Sequence, residues 1–290
     1  MKHFFLLLIL ILICLTSNAQ KFEDNYLGKD FLLYKGAFFK LKEDASVDGF
    51  SYAFYSDLKY CQSSYDNNVI YPTKEYYFNT AKDSLLNRVF IVENIIDANG
   101  NTLENSSSKE PIFILKDSIS KQLIYYKYDI DSEYDFCFNT SKITYDEHVF
   151  CTKLERAVDD FTGEIKISSP LMISGNLSPI MIYKYLKKGK PPLYYLSLRT
   201  SGSTLNVNEK GVIVLFEDGT KWNKQQTEIN VEATSNGYMY SAFISLNATD
   251  LITFTTKKIK KIRLYIYDGS VVPSDADKFR LFVKCVKTSK

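Results

Sequence analysis

The residues that could do chemistry are few in this 290-residue chain, and histidine is the scarcest of them. Only His3 and His148 occur, and His3 belongs to an N-terminal segment that we expect to be removed. A His-rich zinc site is therefore excluded, and a catalytic triad would have to run through His148. No Gly-rich phosphate loop, GxSxG, HExxH or EF-hand pattern occurs. We therefore predict no catalytic residue, no metal site and no cofactor, and the sequence favours a protein that is not an enzyme.

Carboxylates suggest two other kinds of site, a calcium site and an acid pair for glycoside hydrolysis. Asp159 and Asp160 precede Glu164 around a turn, and Ca²⁺ takes such oxygen ligands. Their spacing fits no known calcium loop, so we interpret them as a solvated acidic turn. A glycoside hydrolase needs two acids that face each other across a cleft. Glu217, Asp218 and Asp268 lie at turns, where acids are expected anyway, so the sequence predicts no catalytic pair.

Exposed aromatic rings are a third kind of candidate, because a flat apolar ring can stack on a sugar. The chain has 22 Tyr and 20 Phe but only one Trp. Alternation along residues 262–267 puts Tyr265 and Tyr267 opposite the apolar side chains. We predict Trp222, Tyr265 and Tyr267 as binding residues, with the alternative that these rings fill a second buried face. Tyr194 and Tyr195 of another strand are further aromatic residues that could stack on a sugar.

The segment Met1–Ala19 has the pattern of a signal peptide, with a basic start, the short apolar run Phe4–Leu15 and small residues at its end. That run is shorter than the roughly 20 residues that a membrane span needs, and no later stretch is apolar enough. We expect cleavage near Ala19 and a secreted or periplasmic protein. The alternative is a lipoprotein that is anchored through Cys14.

Charge is balanced once the signal segment is removed. That segment holds one of the 36 basic residues and none of the 34 acidic ones, so the mature chain carries 35 − 34 = +1. This balance gives no support for nucleic-acid binding. We interpret the lysine runs at 187–190 and 257–261 as solvated surfaces. The partners that we expect are a protein or a glycan, with no nucleic acid and no membrane span.

Four cysteines remain after cleavage, and in an exported protein they are candidates for disulfides: Cys61, Cys137, Cys151 and Cys285. Four cysteines allow three connectivities. The domain division described next favours Cys61–Cys137 and Cys151–Cys285, with one bridge in each domain. Each bridge would close a long loop and stabilise the fold by about 3–5 kcal/mol. The alternative is four buried free thiols.

The elements that must position these residues are short strands with turn signals between them. We predict an all-β protein with two domains. Residues 20–146 form a small N-terminal β-barrel-like domain, and residues 147–290 form a C-terminal antiparallel β-sandwich with one or two short helices. Asn247–Thr256 has the capping signals of such a helix, whereas alternation predicts that Phe279–Val286 is the last strand.

Two hairpins are the clearest local signals. A two-residue loop at Asp218-Gly219 would pair Leu215 with Trp222 and make Gly211–Phe216 an interior strand. Trp222 would then either clamp a polar edge strand to its neighbour, which we favour, or form an exposed platform. The second hairpin turns at Asn236-Gly237. Its register separates an apolar face, which includes Tyr240, from a mostly polar face that carries Phe243.

Three stretches of the C-terminal half carry a resemblance: YYLSLRTSGSTLNVNEKGVIVLFEDGTKW, YSAFISL and KKIKKIRLYIYD. They resemble a group of uncharacterised secreted proteins from Bacteroidetes-type bacteria, and the SNAQ end of the signal segment is similar to theirs too. The resemblance covers roughly Asp159–Cys285. It implies export and a separate C-terminal domain, and it implies no activity and no site.

These observations favour an exported, non-catalytic binding or interaction protein of the cell envelope. One alternative is a carbohydrate-active hydrolase that uses carboxylates alone, which predicts two acids in one groove and at least one raised pKa. The other is a structural assembly subunit, which predicts a large apolar surface patch.

Overall fold

A computed structural model describes residues 21–43, 53–61, 68–74, 79–105, 108, 110–133, 135–172 and 179–290. The predicted signal peptide lies outside the described residues. The chain divides into two compact units, Met1–Thr144 and Tyr145–Lys290, and the boundary predicted at residues 146 and 147 lies beside this division. Antiparallel strands dominate and helices are few, which confirms the all-β prediction.

The first unit contains one antiparallel sheet. Its described strands are β1 (Phe22–Asp24), β2 (Phe38–Leu41), β3 (Phe54–Tyr55), β4 (Val89–Ile96), β5 (Ile112–Asp117), β6 (Leu123–Lys127) and β7 (Phe138–Ser141). Their order is β1-β7-β2-β4-β5-β6-β3. Among these strands no pairing joins β1 to β3, so the sheet is open and the expected barrel-like closure is wrong.

Each face of this sheet has its own apolar cluster, which explains why it need not close. One face buries a large aromatic core, and the 3-10 helix Gly28–Tyr34 contributes Phe31 and Tyr34 to it. The other face has a smaller cluster, to which the short helix α1 (Leu58–Cys61) contributes Cys61. Because other segments of the chain pack on both faces, the apolar side chains are removed from water without a barrel.

The predicted Cys61–Cys137 disulfide is absent, and both residues are buried free thiols. Cys137 belongs to the aromatic core, whereas Cys61 belongs to the cluster on the opposite face. The sheet therefore separates the two sulfurs. Burial raises the pKa of each thiol to about 12, so both are protonated and unreactive at neutral pH.

The second unit contains two antiparallel sheets that form a sandwich-like arrangement. The six-stranded sheet contains β8 (Glu155–Val158), β9 (Ile165–Ser168), β10 (Ile180–Leu186), β11 (Leu193–Gly202), β14 (Asn230–Thr234) and β15 (Gly237–Leu246). The four-stranded sheet contains β12 (Lys210–Phe216), β13 (Lys221–Glu228), β16 (Ile259–Leu264) and β17 (Tyr267–Ser270). The orders are β14-β15-β11-β10-β9-β8 and β13-β12-β16-β17. Strand β12 is therefore interior and β13 is an edge strand, as predicted.

The first hairpin, between β12 and β13, has a different register from the predicted one. The N–H of Gly219 donates to the carbonyl of Phe216 over 3.1 Å, and Gly219 has a φ of +81°. The loop therefore has three residues, 217–219, with glycine in the left-handed position of a common hairpin type. Trp222 pairs with Val214 and not with Leu215. Since a one-residue slip exchanges the two faces of a strand, Trp222 lies on the buried face of the sheet.

The second hairpin, between β14 and β15, keeps the predicted faces although its turn is displaced. Thr234 pairs with Gly237, so the loop is Ser235-Asn236. Val231 pairs with Tyr240, and Tyr240 is buried on the apolar face. Phe243 lies on the opposite face and is half exposed.

The prediction of a final strand at Phe279–Val286 is wrong, because this stretch forms half of a helix that begins with Pro273 and ends at Thr288. Proline in the first turn, followed by Asp275, is a helix start signal that alternation obscured. The buried side chains of the stretch are Phe279, Leu281, Phe282, Val283, Cys285 and Val286. A helix that is buried on most sides has apolar residues at strand and helix spacings alike, so periodicity alone misassigns it.

This helix, α3, is fixed at its C-terminal end by two contacts. Lys184 of β10 is buried, and its Nζ donates to the main-chain carbonyls of Lys287 and Ser289. Burial lowers the pKa of this amine. The disulfide between Cys151 and Cys285 is present, as predicted, and it links the same end of α3 to a short 3-10 helix.

We expect removal of this disulfide to destabilise the second unit by about 4–5 kcal/mol, because the bridge closes a loop with a sequence separation of 134. Urea unfolding of the Cys151→Ser/Cys285→Ser protein measures the loss. Alkylation of the denatured but unreduced mature chain should label Cys61 and Cys137 alone. Labelling of the other two cysteines would contradict the assigned pairing.

Candidate functional site

Trp222 is a buried clamp, with 8% of its surface exposed. Its ring contacts Phe254 edge-on at 5.0 Å between centroids, and Phe254 belongs to helix α2 (Ala248–Thr256). Its indole Nε1 donates to the Asp250 carboxylate over 2.7 Å. The ring is therefore closed to a ligand, which corrects its prediction as a binding residue and supports the clamp.

Asp250 joins the start of helix α2 to strand β13. As the capping signals predicted, it forms a capping box with Asn247 at the start of α2, with N–H to oxygen distances of 2.9 and 3.1 Å. The same carboxylate accepts from Lys224 Nζ at 3.0 Å. Burial alone would raise the pKa of Asp250, but the hydrogen bonds from Trp222, the Asn247 backbone and Lys224 outweigh it and lower the pKa.

Tyr265 and Tyr267 do not form the exposed aromatic pair that alternation predicted. The chain turns at Tyr265, so Leu264 pairs directly with Tyr267 and both lie on one face. Ile266, which was expected inside, is 59% exposed at the turn. The ring of Tyr267 packs on Tyr240 at 4.5 Å between centroids.

The hydroxyl of Tyr267 is also engaged. It donates to the carbonyl of Thr204 over 3.2 Å and accepts from the Asn206 side-chain amide over 3.0 Å. Tyr267 therefore holds the segment after β11, whereas the ring of Tyr265 is partly exposed and makes no such contact among the described residues.

The acidic turn at Asp159 is held by its own backbone. The Asp159 carboxylate accepts from the N–H groups of Phe161 and Thr162 over 2.9 and 2.8 Å. These hydrogen bonds, that of Thr162 first, lower the pKa of Asp159. In the part of the chain that the structure describes, no group of three or more His, Cys, Asp or Glu residues is arranged to hold a metal.

Two other acids that we considered for catalysis are held ionised. Thr220 and Lys257 donate to Asp218 and lower its pKa to about 2. Arg263 binds the Asp268 carboxylate through two nitrogens at 2.5 and 2.7 Å and lowers its pKa. A general acid needs the opposite displacement of its pKa, so neither carboxyl group has the protonation that the role requires.

His148 lies beside a sulfur that is not a free nucleophile. Its Nδ1 is 3.7 Å from the Sγ of Cys151, and that sulfur is bonded to Cys285. The arrangement therefore lacks the nucleophile of a Cys–His catalytic pair.

The outer surface of the six-stranded sheet carries a cluster of aromatic rings that the alternation of three adjacent strands places together. We call it the aromatic face; its members are Tyr183, Tyr185, Tyr195 and Phe243. The rings of Tyr195 and Phe243 stack at 4.7 Å between centroids and 11° between planes. Tyr183 lies 5.5 Å from Phe243, and Tyr185 lies 5.6 Å from Tyr195. Phe243 is 50% exposed and the three tyrosines are partly exposed, so the rings remain accessible.

The opposite surface of the same strands explains why these rings face outward. It buries aliphatic side chains in the interior of the second unit, among them Ile182, Leu196, Leu198, Ala242 and Ile244. Because side chains alternate along a strand, burial of these residues directs the aromatic residues between them to the outside.

A groove of about 860 Å³ begins at Phe243 and runs along the edge strand β13. We call it the amide groove. Its lining residues are Asn223, Lys224, Gln225, Gln226, Thr227, Glu228, Asn230, Phe243, Ile244 and Ser245. Lys224 is held by Asp250, and Trp222 fixes the same strand, so the Asp250 contacts position this wall of the groove.

A smaller cavity of about 370 Å³ lies at the other end of the aromatic face. Tyr185 lines it together with Glu164 and Lys166, and the acidic turn at Asp159 completes one side. The aromatic face therefore has an amide-rich groove beside Phe243 and a cavity lined by several charged residues beside Tyr185.

Sequence reasoning named Tyr195 as a surface candidate but missed Tyr183, Tyr185 and Phe243. A usable signal was present in the second hairpin, whose register placed Phe243 as the only aromatic residue on a mostly polar face that also carries Met239. An aromatic residue on the polar face of a strand has no partner in the core. Such residues are better candidates for a binding surface than an isolated Trp on an edge strand.

We expect Asp250→Asn to lower the free energy of unfolding by about 1–3 kcal/mol near neutral pH, because the charge-assisted hydrogen bonds are lost. The folded-state pKa of Asp250 is lowered, so its contribution is complete above its unfolded pKa of about 4 and disappears as the pH falls through the folded pKa. Urea unfolding across this pH range measures the difference between the two proteins. Glu217→Gln, at an exposed turn, is the control that leaves stability unchanged. A difference of equal size at every pH would contradict this role.

Comparison with known protein families, with curated proteins and with solved structures finds no match. Among the described residues, no helix combines the length and the apolar character needed to cross a membrane.

Proposed function

We propose that this protein is an exported, non-catalytic binding protein of the cell envelope, and that its ligand is a glycan held on the aromatic face. The observation that carries the proposal is the cluster of four partly exposed rings on three adjacent strands. A pyranose ring has an apolar face of C–H groups, and burial of that face against an aromatic ring is favourable in water. A rigid sheet that carries several rings is suited to a ligand with several sugar units.

Export is supported by the signal-like segment at residues 1–19 and by the Cys151–Cys285 disulfide, since disulfides persist in oxidising compartments. The resemblance to secreted proteins agrees with this location. We place the protein in the periplasm or outside the cell after cleavage near Ala19.

The hydrolase alternative has less support from the same surface. It requires a pair of acids in one groove, with the proton donor at a raised pKa. Eight carboxyl groups have a lowered pKa, which is the opposite of what a proton donor needs: Asp97, Asp117, Glu147, Asp159, Asp218, Asp250, Asp268 and Asp277. The amide groove is lined by one carboxylate, that of Glu228.

The test is binding of the mature chain to a panel of soluble polysaccharides by affinity electrophoresis, followed by titration calorimetry on those that bind. We expect the Tyr195→Ala/Phe243→Ala protein to bind at least roughly tenfold more weakly, because two stacking surfaces are lost. Tyr265→Ala is the matched control, since it removes a partly exposed ring from the other sheet and should leave binding unchanged.

Failure of the wild-type chain to bind any glycan, or equal binding by the double variant, would overturn the proposal. A double variant that changes the oligomeric state while no glycan binds would instead favour the assembly subunit. Circular dichroism checks that each variant is folded.

A further inference from the structure

We propose that the amide groove is the second half of the same binding site, and that it restricts the ligand to uncharged glycans that extend past Phe243. This inference rests on the proposed function. Its first support is continuity, because Phe243 belongs to the aromatic face and also lines the groove. One side of the Phe243 ring stacks on Tyr195, and the groove runs from the same residue along β13.

The second support is the chemistry of the groove walls. Four exposed primary amides line the groove: Asn223, Gln225, Gln226 and Asn230. In the described part of the chain, none of these four side chains makes a hydrogen bond. Each amide offers two donors and an acceptor oxygen. Sugar hydroxyls also donate and accept, so they match such a wall, whereas a carboxylate or sulfate group only accepts.

The third support is the charge of the groove. Its one cation, Lys224, is 3.0 Å from the Asp250 carboxylate and is therefore already neutralised. Its one carboxylate, Glu228, is exposed and forms no ion pair among the described residues. An anionic sugar would therefore find no free positive charge among the described residues that line the groove, which disfavours its binding relative to that of a neutral sugar.

The groove is also held in shape without a ligand. Trp222 and Lys224 alternate with the outward residues of β13, and both are fixed by Asp250. The wall that carries Asn223 and Gln225 is therefore positioned in advance, which reduces the entropy that binding would otherwise cost.

The test is titration calorimetry with a neutral oligosaccharide series of increasing length and with the same series carrying uronic acids. The starting glycan is the neutral one that binds best in the polysaccharide panel. We expect Gln225→Ala and Asn230→Ala each to weaken binding of the longer neutral members by roughly three- to tenfold, the value of one or two hydrogen bonds. Binding of the shortest members, which occupy the aromatic face alone, should not change. Asn99→Ala, in an exposed turn of the first unit, is the matched control.

Glu228→Gln removes the one carboxylate among the described lining residues and should reduce the preference for neutral over acidic oligosaccharides, measured as the ratio of the two dissociation constants. Wild-type affinity of both amide variants for every length, or tighter binding of the acidic series by the wild-type protein, would overturn the inference. If Phe243→Ala weakens binding while the amide variants do not, the aromatic face stands as the site and the groove does not belong to it. If no glycan binds at all, the proposed function fails first.

Discussion

The register of β11 between β10 and β15 is the constraint on which the binding surface depends. Leu196 and Leu198 of β11 are fully buried, and they lie beside Ile182 and Ile180 on one side and Ile244 and Ala242 on the other. Slipping any of these strands by one residue would move a row of aliphatic side chains into water and a row of tyrosines into the core. The hydrophobic effect therefore fixes the register, and the outward position of the aromatic face is a consequence of core packing.

A single carboxylate connects this surface to the rest of the second unit. Asp250 caps helix α2, binds the only tryptophan and neutralises Lys224. These contacts hold the edge strand β13 in place. Without them, this polar strand would be supported only by its one neighbour in the sheet. Stability and the proposed recognition thus share one residue, because the Asp250 contact with Trp222 also positions the wall of the amide groove. The proposed ligand would therefore meet a surface that is already in place before it binds.

Local pattern was sufficient for some parts of the fold and insufficient for others. The faces of the β14–β15 hairpin and the cap of α2 followed from sequence, because turn chemistry and a capping box are local interactions. Helix α3 could not be predicted in this way, because a helix that is buried on most sides has apolar residues at the spacings of both a helix and a strand. The turn at Tyr265 was missed for a related reason, because the alternation of apolar residues continues across it.

The candidate site was harder to predict than the fold. Trp222 was singled out as the one large apolar residue of a polar strand, yet its pairing with Val214 and its packing on Phe254 bury it. The aromatic face depends on the pairing of strands that are distant in sequence, such as Tyr195 with Ser245. Such long-range strand pairings cannot be deduced from a single sequence, although the position of Phe243 on a mostly polar face was one indication of an aromatic surface.

The central claim is that a ligand lies on the outer surface of the six-stranded sheet. The most direct test is an NMR titration of the isotope-labelled mature chain with the neutral oligosaccharide that binds best, following the backbone amide signals. The account predicts that the perturbed signals belong to residues 181–185, 193–199, 223–230 and 241–245. Perturbations that are confined to the β16–β17 hairpin around Tyr265, or to the first unit, would contradict it.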